Sequence, residues 1–313
     1  MMNLYSYSRS ELQYNSQLKQ TTPKWERYTI DFPTVYQTRY VENNTVWGEY
    51  FQPRTVDNAP LVILHHGMGG ELLIPCKLLA RSLVKKGIAC FVMYSVFHSR
   101  RAPETIRKRL PNLTPEEWFD GYLISVINIR QVIDWAGSQG EINEEKVAVL
   151  GISFGGFISA ITMGIDERVK AGVFITSAGN SEKIGQKSRK NSMKKYRHSE
   201  AEYHQHQNHY AQYLAEVAEK GIENVVPPRE SFLIDPMTFT SYLRQRPVLM
   251  LNALWDEYIP RETAVDFWEA CGKPAISWYP AAHTTIWLYY PFMSRKIAGF
   301  LTSTFGMQNG HAV

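Results

Sequence analysis

The segment Gly151-Ile152-Ser153-Phe154-Gly155-Gly156 carries the clearest chemistry in the chain. It has the form GxSxG, and a serine hydroxyl becomes a nucleophile once a base can take its proton. A strand-like run over 146–151 precedes the serine, and a small-residue helical run over 154–164 follows it. A tight strand-to-helix turn holds the serine in a strained backbone and lifts its hydroxyl clear of the strand end. Gly151 and Gly155 remove the side chains that would collide in such a turn. The turn also sets Ser153 at a helix N-terminus, where backbone N–H groups favour developing negative charge.

The base is expected after a later strand. His283, in Pro280-Ala281-Ala282-His283, follows the strand-like run at 275–279. Asp256, in Trp255-Asp256-Glu257-Tyr258-Ile259-Pro260, follows the run at 247–253 and is placed to hold the imidazole in one tautomer. Two backbone donors should complete the site. The Phe154 N–H is one, and the Met68 N–H of His65-His66-Gly67-Met68-Gly69-Gly70 is the other. Trp255 and Phe154 flank these residues, and Trp255 is the candidate substrate contact. The glycine loop lacks the GxxxxGK[ST] pattern, so nucleotide binding is not expected.

The elements that must position these residues follow an α/β rhythm. Short apolar runs alternate with longer amphipathic ones, the pattern of a mainly parallel sheet flanked by helices. Strands are expected in two stretches of 35–52, then at 61–65, 88–94, 146–151, 169–176, 247–253 and 275–279. Helices are expected at 72–86, from Thr114 to about 137, at 154–164, 261–271 and 284–304. Thr114-Pro115-Glu116-Glu117 reads as a capping box with proline in the first turn. Residues 1–34 read as an N-terminal extension with a short helix around 10–19. Residues 35–179 and 241–313 read as the core. Residues 180–240 break the rhythm and read as a cap or lid insertion, helical between about 199 and 220.

Taken together, HHGMGG (65–70), GISFGG (151–156), DEYIP (256–260) and AAH (281–283) resemble the α/β-hydrolase superfamily. Within it they resemble the branch of dienelactone-hydrolase-like and acyl-aminoacyl-peptidase-like esterases. The resemblance covers about residues 45–305 and includes the chain order serine, acid, histidine. It implies the α/β-hydrolase fold, a site at the carboxyl ends of the strands, and no metal or organic cofactor. It further implies a serine hydrolase that cleaves carboxylic esters through an acyl-enzyme. A small peptidase or thioesterase on the same residues is the alternative, and a non-catalytic binding module is the reading from another class. Two departures stand out. The dienelactone-type enzymes use a cysteine where this chain has Ser153, and 313 residues leave no room for the propeller of the related peptidases.

Composition narrows the partners. The net charge of +4 is small and local. Residues 181–200 carry +5 and residues 98–109 carry +4, which leaves a mildly acidic remainder rather than a nucleic-acid-binding protein. The basic segments read either as a solvated surface or as a positive rim for an anionic substrate, with Lys194, Lys195 and Arg197 as its members. His204, His206 and His209 do not share one helix face, which argues against a metal site among them. No apolar run approaches the length of a membrane span. Cys76, Cys90 and Cys271 lie far apart without CxxC spacing and read as free thiols of a cytoplasmic protein. A small-molecule ester is therefore the expected partner, and the sequence leaves the oligomeric state open.

Overall fold

The computed structural model describes residues 4–9, 11–69 and 73–307. Nine strands among them form one sheet in the order β1-β2-β3-β5-β4-β6-β7-β8-β9. The strands are β1 (Asn15–Thr21), β2 (Trp25–Pro33), β3 (Thr45–Pro53), β4 (Ala59–His65) and β5 (Ala89–Met93). Then come β6 (Ile142–Ile152), β7 (Val169–Ile175), β8 (Val248–Ala253) and β9 (Ala275–Tyr279). From β5 to β9 every pairing is parallel, while β1, β2 and β3 add to the β5 edge in antiparallel fashion.

The helices are α1 (Leu73–Val84), α2 (Glu104–Arg107), α3 (Pro115–Gly137), α4 (Phe154–Ile165) and α5 (Ser181–Lys187). They continue with α6 (Glu200–Lys220), α7 (Thr240–Leu243), α8 (Arg261–Ala270) and α9 (Tyr290–Thr304). The two-residue period of a strand sends alternate side chains to opposite faces. On β4, Leu61 and Ile63 join the core of α3, α4 and α8, while Val62 and Leu64 join that of α1 and α9. Both faces are thus covered by helices, which is why the central strands read as unbroken apolar runs.

The capping box of α3 forms as its sequence signals: Thr114 accepts from the Glu117 N–H, and the Glu117 carboxylate accepts from the Thr114 N–H. Arg109 and the Tyr40 hydroxyl donate to the same carboxylate. The long helix α6 carries the same device through Ser199 and Glu202.

Three expectations need correction. The short helix expected around residues 10–19 is not formed: residue 10 lies outside the described residues, 11–14 take no regular structure, and 15–21 form β1, whose seven residues are all exposed. Its Gln, Leu and Lys residues are good helix formers, but pairing with β2 overrides that weak preference. The first of the two strand-like stretches at 35–52 is a turn with one 3-10 segment, Val41–Asn43, and the pairing strand lies earlier, as β2. The final helix is broken: a 3-10 turn, Thr285–Tyr289, precedes α9, with Pro291 in the first turn of α9.

The chain before β1 lies across α3. The Tyr5 hydroxyl donates to the Leu233 carbonyl at 2.7 Å, and its ring packs edge-on against Phe239. Tyr7 and Arg9 both reach Asp134 of α3. Among the described residues, no helix is long and apolar enough to cross a membrane.

Candidate active site

Ser153 sits on the turn between β6 and α4 with φ 52° and ψ −118°, a region that L-residues rarely occupy. Its surroundings impose this geometry. A Cβ on Gly151 would lie 2.1 Å from the Gly155 carbonyl oxygen, and one on Gly155 would lie 2.1 Å from that of His65. The two glycines therefore let β6, α4 and the end of β4 approach at backbone distance. The Ser153 N–H donates to the Ile175 carbonyl of β7 at 2.8 Å, which fixes the turn to the sheet.

His283 lies on the loop after β9, and Asp256 on the loop after β8. The structure brings both to Ser153. His283 Nε2 is 3.0 Å from Ser153 Oγ, and His283 Nδ1 is 2.7 Å from Asp256 Oδ2. The Asp256 and His283 side chains are 5% and 13% exposed. The other carboxylate oxygen, Asp256 Oδ1, accepts the N–H groups of Tyr258 and Ile259 at 2.9 and 2.8 Å. Asp256 thus has both oxygens directed, one by its own loop and one at the imidazole. Glu257 plays a different part: its Oε2 accepts the His283 N–H at 3.1 Å. The Tyr258 ring packs against the His283 ring at 5.1 Å.

Phe154 opens α4, where a backbone N–H has no intrahelical acceptor. Met68 follows Gly67, and a Cβ on Gly67 would lie 3.3 Å from Ser153 Cβ, so the loop after β4 passes directly over the serine. Gly70 of that loop lies outside the described residues. The Phe154 ring is buried against Tyr122 and Trp118, with centroids 5.0 and 5.8 Å away. The Trp118 indole N–H is buried and has no hydrogen-bond partner. Trp255, by contrast, is 60% exposed, and its backbone N–H donates to the Ala281 carbonyl at 2.9 Å.

Two histidines beside the site, His66 of the HHGMGG motif and His98, have contacts that the sequence reading did not assign. His66 and His98 are buried beneath the loop that carries Met68. His98 Nδ1–H donates to the Val96 carbonyl at 2.7 Å, which leaves Nε2 to accept the Gly69 N–H at 3.2 Å. His66 Nδ1–H donates to the Gly67 carbonyl at 2.8 Å, and its Nε2 accepts the Ser95 N–H at 3.0 Å. Each ring must be neutral to serve as donor and acceptor at once. Burial enforces this, pulling His66 down to about 3 and His98 to about 4. The available signal was position: His98 stands just past β5, at the carboxyl end of a parallel strand, where open α/β sheets place their ligands.

The basic segments are largely engaged. Arg101 is fully buried and donates to the carbonyls of Tyr94 and Asn43 and to Asn128 Oδ1, so it adds no surface charge. Lys195 reaches residues 111 and 112, stitching the two segments together, and Arg197 donates to the Ser188 carbonyl at 2.8 Å. Arg189 reaches the Trp255 and Asp256 carbonyls at 3.3 and 3.4 Å, and Lys190 stands 4.7 Å from the centre of the Tyr258 ring and 3.6 Å from Glu257 Oε1.

Comparison with known proteins bears on the fold and the family. Two curated, uncharacterized proteins of Mycobacterium tuberculosis are 24% identical over 179 residues, a stretch that covers 56% of this chain and 36% of theirs. The chain thus matches only about a third of the length of those relatives. An acetyl xylan esterase from Paenibacillus sp. R4 superposes with a TM-score of 0.67 at 18% identity, covering 94% of this chain and 89% of its own. Acetyl xylan esterase 1 from Thermoanaerobacterium sp. JW/SL YS485 gives 0.60 at 14% identity, covering 93% and 89%. A cold-adapted esterase from an Arctic intertidal metagenomic library gives 0.59 at 13%, covering 92% and 98%. These likenesses show the fold. Residues 60–293 match the model of the alpha/beta hydrolase fold family, and the chain therefore belongs to the α/β-hydrolase superfamily.

Proposed function

We propose that this protein is a serine hydrolase that cleaves small carboxylic esters through an acyl-enzyme. The observation that carries the reading is the hydrogen-bonded series Ser153 Oγ, His283 Nε2, His283 Nδ1, Asp256 Oδ2, with separations of 3.0 and 2.7 Å. In this reading the Ser153 hydroxyl attacks the ester carbonyl while His283 Nε2 takes its proton. Asp256 holds the imidazole with Nδ1–H toward the carboxylate and stabilises the imidazolium that forms. The N–H groups of Phe154 and Met68 stabilise the oxyanion. His283 then returns the proton to the departing alcohol, and water releases the acid by the same steps in reverse.

Trp118, against Phe154, supplies a wall on the acyl side, and the exposed Trp255 meets substrate at the mouth. The names of the acetyl xylan and cold-adapted esterases with this fold support an ester over an amide or thioester. The chemistry asks for no metal or organic cofactor. The three free, buried thiols support a reducing compartment, the cytoplasm, for this activity.

The test is hydrolysis of p-nitrophenyl esters, acetate through decanoate, by wild type and Ser153→Ala in parallel. Turnover in wild type that falls by about 10⁴-fold or more in the variant supports the reading. Equal turnover by the two proteins sinks it, as does a wild type that neither hydrolyses any ester nor reacts with a fluorophosphonate.

A further inference from the structure

The cap carries a second cluster of chemically capable side chains, away from Ser153. Glu182 lies in the first turn of α5, His198 in the segment that leads to α6, and His206 on α6 itself. One ligand atom from each lies within 4.8 Å of the other two. His206 Nδ1 is 2.5 Å from Glu182 Oε1, and His198 Nε2 is 3.3 Å from the same oxygen.

The cluster is held from behind. Asn180 caps α5 by accepting the Lys183 N–H, and Asp235 accepts the N–H groups of Asn180 and Ser181. Gln207 links the two shells: its amide nitrogen is 3.5 Å from Glu182 Oε2, and its oxygen accepts from Asn180 Nδ2 at 2.7 Å. Outer hydrogen bonds of this kind orient metal ligands.

We propose that Glu182, His198 and His206 form a divalent-metal site in the cap, suited to Zn²⁺. Two imidazoles and a carboxylate are a ligand set that Zn²⁺ accepts, with a water in the fourth position. Tetrahedral bonds of about 2.0–2.1 Å put neighbouring ligand atoms roughly 3.3 Å apart. The His198–Glu182 separation already has that value. The shorter His206–Glu182 pair holds a proton between its atoms, and widens by under about 1 Å when metal replaces it.

Arg229 is the competing occupant. Its guanidinium lies 3.3 Å from Glu182 Oε1 and 2.5 Å from His206 Nε2. It supplies a positive charge to Glu182 where the metal would supply one. Metal on Nδ1 leaves a proton on His206 Nε2, which then repels the guanidinium. Arg229 is 41% exposed and has open solvent to move into. The histidines weighed from sequence spacing were a different group: of His204, His206 and His209, only His206 takes part. His204 is 72% exposed and pairs with Glu200.

Bound metal would join α5, the 191–198 segment and α6 at one point. The same stretch touches the triad loop, since Ser188 Oγ and the Arg189 N–H both donate to the Glu257 carbonyl. The cap would thereby be braced over His283 and Asp256.

The experiment is equilibrium dialysis of chelator-treated protein against ZnCl₂ near pH 7.5, with metal content read by atomic emission. One equivalent is expected for wild type and for the His204→Ala control. Glu182→Gln and His206→Ala should each weaken uptake by about tenfold or more. Arg229→Met, which removes the competing charge, should bind more tightly than wild type. Circular dichroism verifies that each variant is folded. No uptake by wild type and Arg229→Met alike overturns the site and leaves an ion-pair cluster. Unchanged uptake by Glu182→Gln also overturns it, because the metal then sits elsewhere. Metal content does not depend on ester hydrolysis, so failure here is separable from failure of the hydrolase reading.

Discussion

Asp256 is the residue on which geometry and chemistry meet most closely. Replacing it with Asn keeps the shape but lets the amide donate to His283, which favours the wrong tautomer. Asp256→Asn should lower kcat for p-nitrophenyl acetate by about 10⁴-fold with KM little changed. His98 acts one step away, as a positioning residue through Gly69. His98→Ala should lower kcat by about tenfold or more, the range seen when a backbone donor is misplaced. His98→Gln offers an oxygen to the same N–H and should recover part of the loss. A merely structural role would show no such split between the two variants in steady-state kinetics. Trp118→Ala should move the preferred acyl chain from acetate toward longer esters in the same assay series. Ser153, Asp256 and His283 were legible as candidates in the sequence because each follows a strand whose apolar run is easy to see. The roles of His66 and His98 were not. They depend on which backbone amide a ring reaches across a turn, and no spacing encodes that.

At the level of elements, the β6–α4 turn is the least tolerant segment. Gly155→Ala would drive a methyl group to 2.1 Å from the His65 carbonyl oxygen, and backbone cannot yield as a flexible side chain can. The variant should lose at least about 3 kcal/mol in urea unfolding, or fail to fold. Caps are gentler. Ser199→Ala removes the side-chain acceptor at the start of α6 and should cost about 1 kcal/mol by the same measurement. The capping box of α3 was readable because it is a local signal of four residues. β1 was not, for the opposite reason: its seven residues are all exposed and show no inside–outside alternation. Its identity comes from the ladder with β2, a partner that composition does not announce.

Across the whole molecule, buried titratable groups set how stability varies with pH. His66 and His98 hold values of about 3 and 4, below the ordinary 6.5. The unfolded chain therefore binds protons that the native state refuses. Stability is full above about pH 6.5 and declines as pH falls toward 4, by on the order of 3 kcal/mol from His98 alone. Asp166 adds to the same trend at lower pH. Burial alone would raise it, but Arg168 and Arg130 overcome that and hold it at about 2. Its contribution is retained above about pH 4 and is lost as pH falls toward 2. Urea midpoints taken across pH 7 to 4 should fall for wild type, and His98→Gln should flatten part of that fall.

The contact between Tyr5 and Leu233 also bears on the order in which the chain assembles. Their positions are 228 apart, so Tyr5 leaves the ribosome long before its partner is made. At about 5–20 residues per second, that interval is roughly 10–45 s. During it the tyrosine ring, later 5% exposed, has no Phe239 to cover it. The segment around Tyr5 thus finds its place only once residues 233–239 have been delivered.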